Sequence, residues 1–168
     1  MAGDKYLYLN SGIVTEKALN QTSAGLGDAG KGVALNASGL IDDTMLPTVE
    51  TITAPASENL SAGDWVNVFD SSGTLKVRKA DASGGVGKRC HGFVKAAVTA
   101  PADAVVYTDG NNANDSGLTL GSTHYLSATP GAATPTPPSI AAHIVQELGL
   151  ATSTTNMLTR IGETIVRA

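Results

Sequence analysis

The sequence predicts an all-β protein, in which a compact β-barrel or sandwich domain is preceded by an extended, Gly-rich N-terminal arm. Only 15% of the residues are charged and 4% are aromatic, and the small and β-branched residues that replace them suit strands and tight turns. Short apolar runs separated by turn signals begin after about residue 50, at the spacing typical of sandwiches and barrels. Closely spaced glycines interrupt the chain before that point. We therefore expect an arm over residues 1–50 and a β domain over 51–168.

The first residues alternate as in a β-strand. Tyr6 and Tyr8 fall on one face and Leu7 and Leu9 on the other, and the turn signal Asn10-Ser11-Gly12 follows. This pattern predicts a short strand or a hairpin at the start of the arm.

The rest of the arm has too few apolar residues to form a core of its own. Asp42 or Asp43 is placed to cap a single helical turn that ends before Pro47. Gly25–Gly32 resembles a phosphate-binding loop superficially, but Gly32 follows Lys31 where a hydroxyl residue is required. We expect the arm's apolar residues to be buried against a partner, and the candidate partner-binding residues are Leu35, Leu40, Ile41, Met45 and Leu46.

The predicted domain contains seven candidate strands: Trp65–Phe69, Thr74–Lys79, Arg89–Val94, Val105–Thr108, Thr123–Ser127, Ala142–Leu150 and Glu163–Arg167. Turn signals lie between them at residues 61–64, 70–73, 109–110, 129–131 and 153–156. Ile140, Ile144 and Leu148 recur at a spacing of four, which also fits a short helix. We prefer the strand for that segment.

No set of residues points to catalysis, and we predict no catalytic residue, no cofactor and no metal. His91, His124 and His143 are widely separated, with no second ligand at a metal-binding spacing, so each is expected to be a structural imidazole with its hydrogen bonds satisfied. Cys90 precedes His91 directly, and neighbouring strand residues point to opposite faces. We therefore expect Cys90 to be a small buried thiol, not a nucleophile.

Two clusters leave alternatives open. The run Asp109–Asp115 concentrates oxygen ligands of the kind Ca²⁺ prefers, but it lacks the EF-hand spacing, so a plain Asx-rich loop is favoured over an ion site. Basic residues surround the segment Asp81–Gly87 and form either solvated strand edges or a charge patch for a neighbouring subunit. These residues are Lys76, Arg78, Lys79, Lys88 and Arg89.

The overall charge and the hydropathy limit the classes of partner that the protein can have. A net charge of −4 and a pI near 5.2 do not supply the positive field that nucleic-acid binding needs. No segment has the roughly 20 apolar residues of a membrane span, and Met1–Asp4 lacks the start of a signal peptide. We expect a protein made in the cytoplasm, with neither a nucleic acid nor a membrane as partner.

Four stretches carry a resemblance to known proteins: GDAGKGVALNASGLIDDTMLP, SENLSAGDWVNVFDSSGTLKVRKADAS, GFVKAAV and LTLGSTHYLSATPGAATPTPP. The first resembles a segment near the N-terminal side of bacteriophage tail-fibre and capsid-associated proteins. The other three resemble a small β domain of phage virion structural proteins, including head decoration proteins and parts of fibres. The resemblance implies a non-enzymatic capsid decoration (cement) protein on the outer surface of the virion. Its implied partners are the major capsid protein and further copies of itself, a trimer being preferred over a dimer.

The alternative is a tail-fibre or baseplate component that binds a host receptor or glycan. Such a protein needs an exposed aromatic platform for sugar stacking, and Trp65 is the single tryptophan. Its alternation with neighbouring apolar residues predicts that it is buried. The chain length of 168 residues is also short for a fibre, which favours decoration.

Overall fold

The computed structural model describes residues 5–46 and 50–168, so residues 1–4 and 47–49, among them Pro47, lie outside the described residues. The chain divides into two compact units, with the boundary between residues 48 and 49. We call residues 5–46 the N-terminal unit and residues 50–168 the β domain, and each is described by itself.

The N-terminal unit begins with the predicted hairpin. Strands β1 (Lys5–Asn10) and β2 (Ile13–Ala18) pair antiparallel from Lys5↔Ala18 to Asn10↔Ile13. Ser11 and Gly12 form the two-residue turn with φ of 51° and 86°, the left-handed geometry that matches the twist of a hairpin. The rings of Tyr6 and Tyr8 lie 6.3 Å apart, which confirms that they share a face.

Local hydrogen bonds shape the remainder of this unit. Asn20 and Val33 form an isolated bridge, and short 3₁₀ turns span Leu26–Asp28 and Asp43–Met45. The Met45 amide donates to the Asp42 carbonyl at 2.9 Å, and the Asp42 carboxylate accepts from the Thr44 amide at 3.1 Å. The predicted single turn is therefore present as a 3₁₀ turn, with Asp42 as its cap.

The β domain is all-β, as predicted. The strand prediction for residues 142–150 is confirmed, because an eight-residue strand occupies most of that segment. Among the described residues the domain contains β3 (Thr51–Pro55), β4 (Trp65–Ser71), β5 (Thr74–Lys79), β6 (Gly92–Val94), β7 (Asp103–Tyr107), β8 (Asn111–Asn112), β9 (Thr123–Leu126), β10 (Ala133–Thr134), β11 (Ile144–Ala151), β12 (Met157–Thr159) and β13 (Thr164–Val166), with a 3₁₀ segment at Ala82–Lys88.

Five of these strands curl into a half-barrel. Their order is β3-β7-β6-β4-β5, with antiparallel neighbours throughout. The chain after β3 returns to β5, where Ala56 bridges Val77 and the Ser57 amide donates to the Val77 carbonyl at 2.8 Å. Strands β4 and β5 are joined by Ser72 and Gly73, whose positive φ angles of 55° and 83° make the tight turn predicted there.

The second sheet has the order β10-β9-β11-β12-β8, and β13 pairs with β11. Strand β11 is its longest member and pairs with three neighbours. Because β8 and β10 have only two residues each, they lack the alternating pattern that a sequence prediction needs.

Two hydrophobic clusters form the core of the domain. One fills the half-barrel with small and β-branched side chains, including Ala54, Val66, Val77, Val94, Ala104 and Val106. The other joins residues of the half-barrel strands to the second sheet and includes Trp65, Phe93, Leu126, Ile144, Leu148 and Met157. Trp65 is fully buried, which confirms the prediction that it packs into the domain.

The predicted strand over residues 89–94 is too long, since β6 begins only at Gly92. Instead of joining a strand, the backbone of Cys90 pairs with the side chain of Gln146. The Cys90 amide donates to Oε1 at 2.8 Å, and Nε2 donates to the Cys90 carbonyl at 3.0 Å. An amide side chain offers the donor and the acceptor that a neighbouring strand would have supplied.

Candidate functional site

The candidate partner-binding residues lie in locally ordered turns. The Asn36 carboxamide accepts hydrogen bonds from the amides of Ser38 and Leu40 at 2.9 and 3.1 Å, and the Asn36 amide donates to the Leu40 carbonyl at 2.8 Å. This closed loop presents Leu35 and Leu40 to solvent with exposed fractions of 55% and 63%. Ile41 follows directly and is also exposed.

Met45 and Leu46 border a different feature, a cleft of about 380 Å³ within the N-terminal unit. The Thr44 hydroxyl accepts from the Ser23 amide at 2.8 Å and donates to Asp42 at 2.6 Å, which fixes the turn that carries Met45. The hydrogen bonds that the Thr44 hydroxyl and then the Thr44 amide donate to the Asp42 carboxylate hold the pKa of Asp42 below its ordinary value. Leu46 is exposed and Met45 is half-buried.

The N-terminal unit combines many exposed apolar side chains with no buried residue among those described. It holds ten of the large hydrophobic side chains that are exposed, whereas the β domain, almost three times as long, holds nine. The ten are Leu7, Leu9, Ile13, Val14, Leu26, Val33, Leu35, Leu40, Ile41 and Leu46. Four of these lie on the hairpin, a segment for which no binding residue is predicted from the sequence despite its alternating pattern.

Two histidines are satisfied structural imidazoles, as predicted. His124 is fully buried, accepts from the Thr119 amide at 3.2 Å and lies 3.1 Å from the Ser122 carbonyl. His91 accepts from the Val68 amide at 3.0 Å, and burial together with the Arg89 charge lowers its pKa.

The prediction is wrong for the third histidine. Nδ1 of His143 is buried and has no hydrogen-bond partner within the described part of the chain. An unpaired buried nitrogen of this kind costs stability.

The thiol of Cys90 is buried and lies 3.2 Å from the Gly92 carbonyl. Burial raises its pKa to about 12, so the thiolate that nucleophilic chemistry requires is not formed near neutral pH. The prediction of a buried structural thiol is confirmed.

The Asx-rich loop directs its polar atoms to the protein's own donors and acceptors. Buried Asn112 donates to the Gly63 carbonyl at 2.9 Å, and the Asp115 carboxylate accepts from the Trp65 indole at 2.7 Å. Burial raises the pKa of Asp115, and the indole hydrogen bond partly opposes the shift. No group of three metal-ligating side chains occurs in residues 5–46 and 50–168. These contacts favour the structural loop.

Two of the five cations in the basic cluster form ion pairs within the domain, and a third is held by neutral groups. Lys79 pairs with Asp64 at 3.1 Å, and Lys88 lies 3.6 Å from Asp81. Arg78 donates to the Gly87 carbonyl at 2.7 Å and stacks 4.0 Å from the centre of a phenyl ring, that of Phe69. These internal contacts of Lys79, Lys88 and Arg78 favour solvated strand edges over a charge patch.

The fold and these contacts define an all-β domain joined to a unit that exposes apolar side chains. No known family model matches the chain, and a search of curated proteins finds no similar sequence. No helix of the described residues has the length and apolar character needed to cross a membrane.

Proposed function

We propose that this chain is a structural virion protein that binds the outside of a phage capsid and cements neighbouring capsomers. The observation that carries the proposal is the contrast between the two units. The β domain builds two buried clusters of its own, whereas the N-terminal unit exposes ten large apolar side chains. Apolar surface of this extent on a small segment marks an interaction site.

The proposed attachment surface consists of Leu35, Leu40, Ile41, Met45 and Leu46, and the major capsid protein is the proposed partner. Full burial of each large apolar side chain is worth about 1.5 kcal/mol or more. Repetition over many sites on a shell turns this modest energy into resistance against the pressure of the packaged genome. The protein is proposed to act as a homo-oligomer without catalytic activity, on the outer surface of the virion.

The structural use of the reactive side chains supports a non-enzymatic role. The thiol of Cys90 is held protonated by burial, and the ring of His124 is occupied by backbone hydrogen bonds. Receptor or glycan binding by a fibre tip is the less supported alternative, because Trp65 is buried in the domain core.

The test is binding to purified heads that lack this protein. A variant with Leu35, Leu40 and Ile41 changed to Ser should lose occupancy on heads, as should deletion of residues 21–47. The matched control changes Leu75, Leu120 and Leu158 to Ser, because these leucines of the β domain have comparable exposure, at 49%, 67% and 54%. The control should decorate heads fully.

Occupancy is measured as copies per head on quantitative gels, with circular dichroism to verify the fold. Full decoration by the variant with Leu35, Leu40 and Ile41 changed to Ser would overturn the assignment of the attachment surface. Recovery of a few copies per particle at the tail, instead of hundreds on the head, would overturn the decoration function itself.

A further inference from the structure

We propose that the outer edge of β1 is a self-pairing edge, which joins the hairpins of two copies of this chain into one four-stranded antiparallel sheet. A two-stranded ribbon alone is marginal in water, and neither edge of this one pairs with another strand of the described residues. In the register observed, Asn10↔Ile13 closes the two-residue turn. Tyr6 and Tyr8 therefore direct their peptide groups inward, and Lys5, Leu7 and Leu9 direct theirs outward.

The outward peptide groups of β1 are unpaired within the part of the chain that the structure describes. No backbone hydrogen bond joins Lys5, Leu7 or Leu9 to any described residue beyond the hairpin. The side chains of Leu7 and Leu9 are exposed by 69% and 67%, and Val14 beside them by 64%. An open edge that carries an exposed apolar face is the template to which another strand adds.

The charges select β1 over β2 as the pairing edge. Strand β2 carries Glu16 and Lys17 in its middle, whereas the single charge of β1 is Lys5 at its start. Lys5 is itself neutralised by Glu16, with 2.7 Å between ammonium and carboxylate. Symmetric pairing of two β2 strands about Glu16 would bring two carboxylates opposite each other, which is unfavourable.

The strand that pairs with the outer edge of β1 is β1 of a second copy, because the sequence of β1 is complementary to itself. The outward residues are symmetric about Leu7, so an antiparallel pair centred there matches Leu7 with Leu7 of the second copy and Lys5 with Leu9 of that copy. All three outward peptide groups of each strand are then used. On the opposite face Tyr6 meets Tyr8 of the second copy, an aromatic cross-strand pair. A register centred on Tyr8 would leave the Lys5 group unpaired.

This contact specifies the self-association contained in the proposed function and rests on that function only in taking the protein to be an oligomer. It joins copies in pairs, and so departs from the trimer that the resemblance implies. Both experiments below use the free full-length protein, so their failure and failure of capsid binding are distinguishable.

The first experiment is disulfide trapping. In the proposed register two Leu7→Cys residues have Cα atoms about 5.5 Å apart, within the disulfide range. Two Leu9→Cys residues lie four residues out of register, about 13 Å apart. Under mild oxidation Leu7→Cys should therefore form a covalent dimer on non-reducing gels. Leu9→Cys, equally exposed, should form little, and buried Cys90 alone should form none.

Mixing Lys5→Cys with Leu9→Cys adds a positive control for register, because these two positions face each other in the proposed sheet. A covalent heterodimer is expected. Equal trapping at Leu7 and Leu9, or preferential trapping of a Tyr8→Cys variant, would overturn the register.

The second experiment blocks the edge without cutting the hairpin. Leu7 directs its N–H outward, so Leu7→Pro removes a donor used only between copies. Glu16→Pro is the matched control, because Glu16 faces Leu7 across the hairpin and directs its own N–H to the other edge. In analytical ultracentrifugation Leu7→Pro should raise the dimer dissociation constant about tenfold or more. Glu16→Pro should change it by less than about twofold. Equal effects, or a monomeric native protein at high concentration, would refute the proposal.

Discussion

Gln146 offers the sharpest test of how the β domain is held together. Its side chain is 3% exposed and makes three hydrogen bonds to backbone. Oε1 accepts from the Cys90 amide at 2.8 Å, and Nε2 donates to the carbonyls of Cys90 and Gly162 at 3.0 and 3.2 Å. Since Gln146 lies on β11 and Cys90 immediately precedes β6, this one amide docks the second sheet against the half-barrel. Gln146→Met keeps the length of the side chain and removes every polar atom that makes these bonds.

The expected cost follows from the backbone groups left without partners. A buried donor or acceptor deprived of its partner costs about 1–3 kcal/mol. The amide and carbonyl of Cys90 are in the core, whereas Gly162 is half-buried and regains water. The methionine recovers part of the loss through apolar burial. We therefore expect Gln146→Met to lower the free energy of unfolding by about 2–4 kcal/mol.

The assay is equilibrium urea unfolding followed by Trp65 fluorescence, with the native protein and Glu147→Met as references. Glu147 neighbours Gln146 on the same strand, is half-buried, and its carboxylate makes no hydrogen bond to a described residue, so Glu147→Met should shift stability by less than about 1 kcal/mol. A loss below about 1 kcal/mol for Gln146→Met, or equal losses for both variants, would refute the docking role.

Three further predictions follow. Burial raises the pKa of Asp115, so the folded state binds more protons than the unfolded state just above the ordinary Asp range. The native protein should therefore lose stability relative to Asp115→Asn as pH rises through that window in urea titrations, and a parallel pH dependence would contradict this. Gly63→Ala should cost about 2–4 kcal/mol, since its φ is 90° and its Cβ would overlap the Asn114 carbonyl. Gly73→Ala, with φ of 83° in open space, should cost about 1 kcal/mol, and thermal melts of both glycine variants check the two values. Amides of residues 21–46 should exchange rapidly in the free protein and become protected on heads, and full protection in the free protein would argue against attachment through this segment.

Much of the β domain could be predicted from local pattern. The hairpin turn at Ser72-Gly73 and the strands on either side of it follow from turn chemistry and alternation, and burial of Trp65 follows from its apolar neighbours. Strands β8, β10 and β12 have two or three residues each. Such short strands are defined by the neighbours they pair with, which no local pattern reveals.

The candidate site could be predicted only in its chemical character. A Gly-rich segment with scattered leucines indicates apolar residues without a core, and the exposure of Leu35 and Leu40 agrees with that character. The hairpin's exposed leucines were not predicted as binding residues, because alternation alone does not tell which face of a two-stranded ribbon is covered. The role of Gln146 depends on Cys90, 56 positions away, and contacts at that separation leave no trace in composition or spacing.

The alternation along β4 has a consequence for how the β domain unfolds. Trp65 belongs to one hydrophobic cluster and its neighbour Val66 to the other, so a single strand forms the wall between two cores. A register slip of one residue would turn the Trp65 indole toward the cluster that holds Val66, and the Val66 side chain toward the cluster that holds Trp65. We therefore expect that loosening of one core disturbs the packing of the other, so that the two cores unfold together.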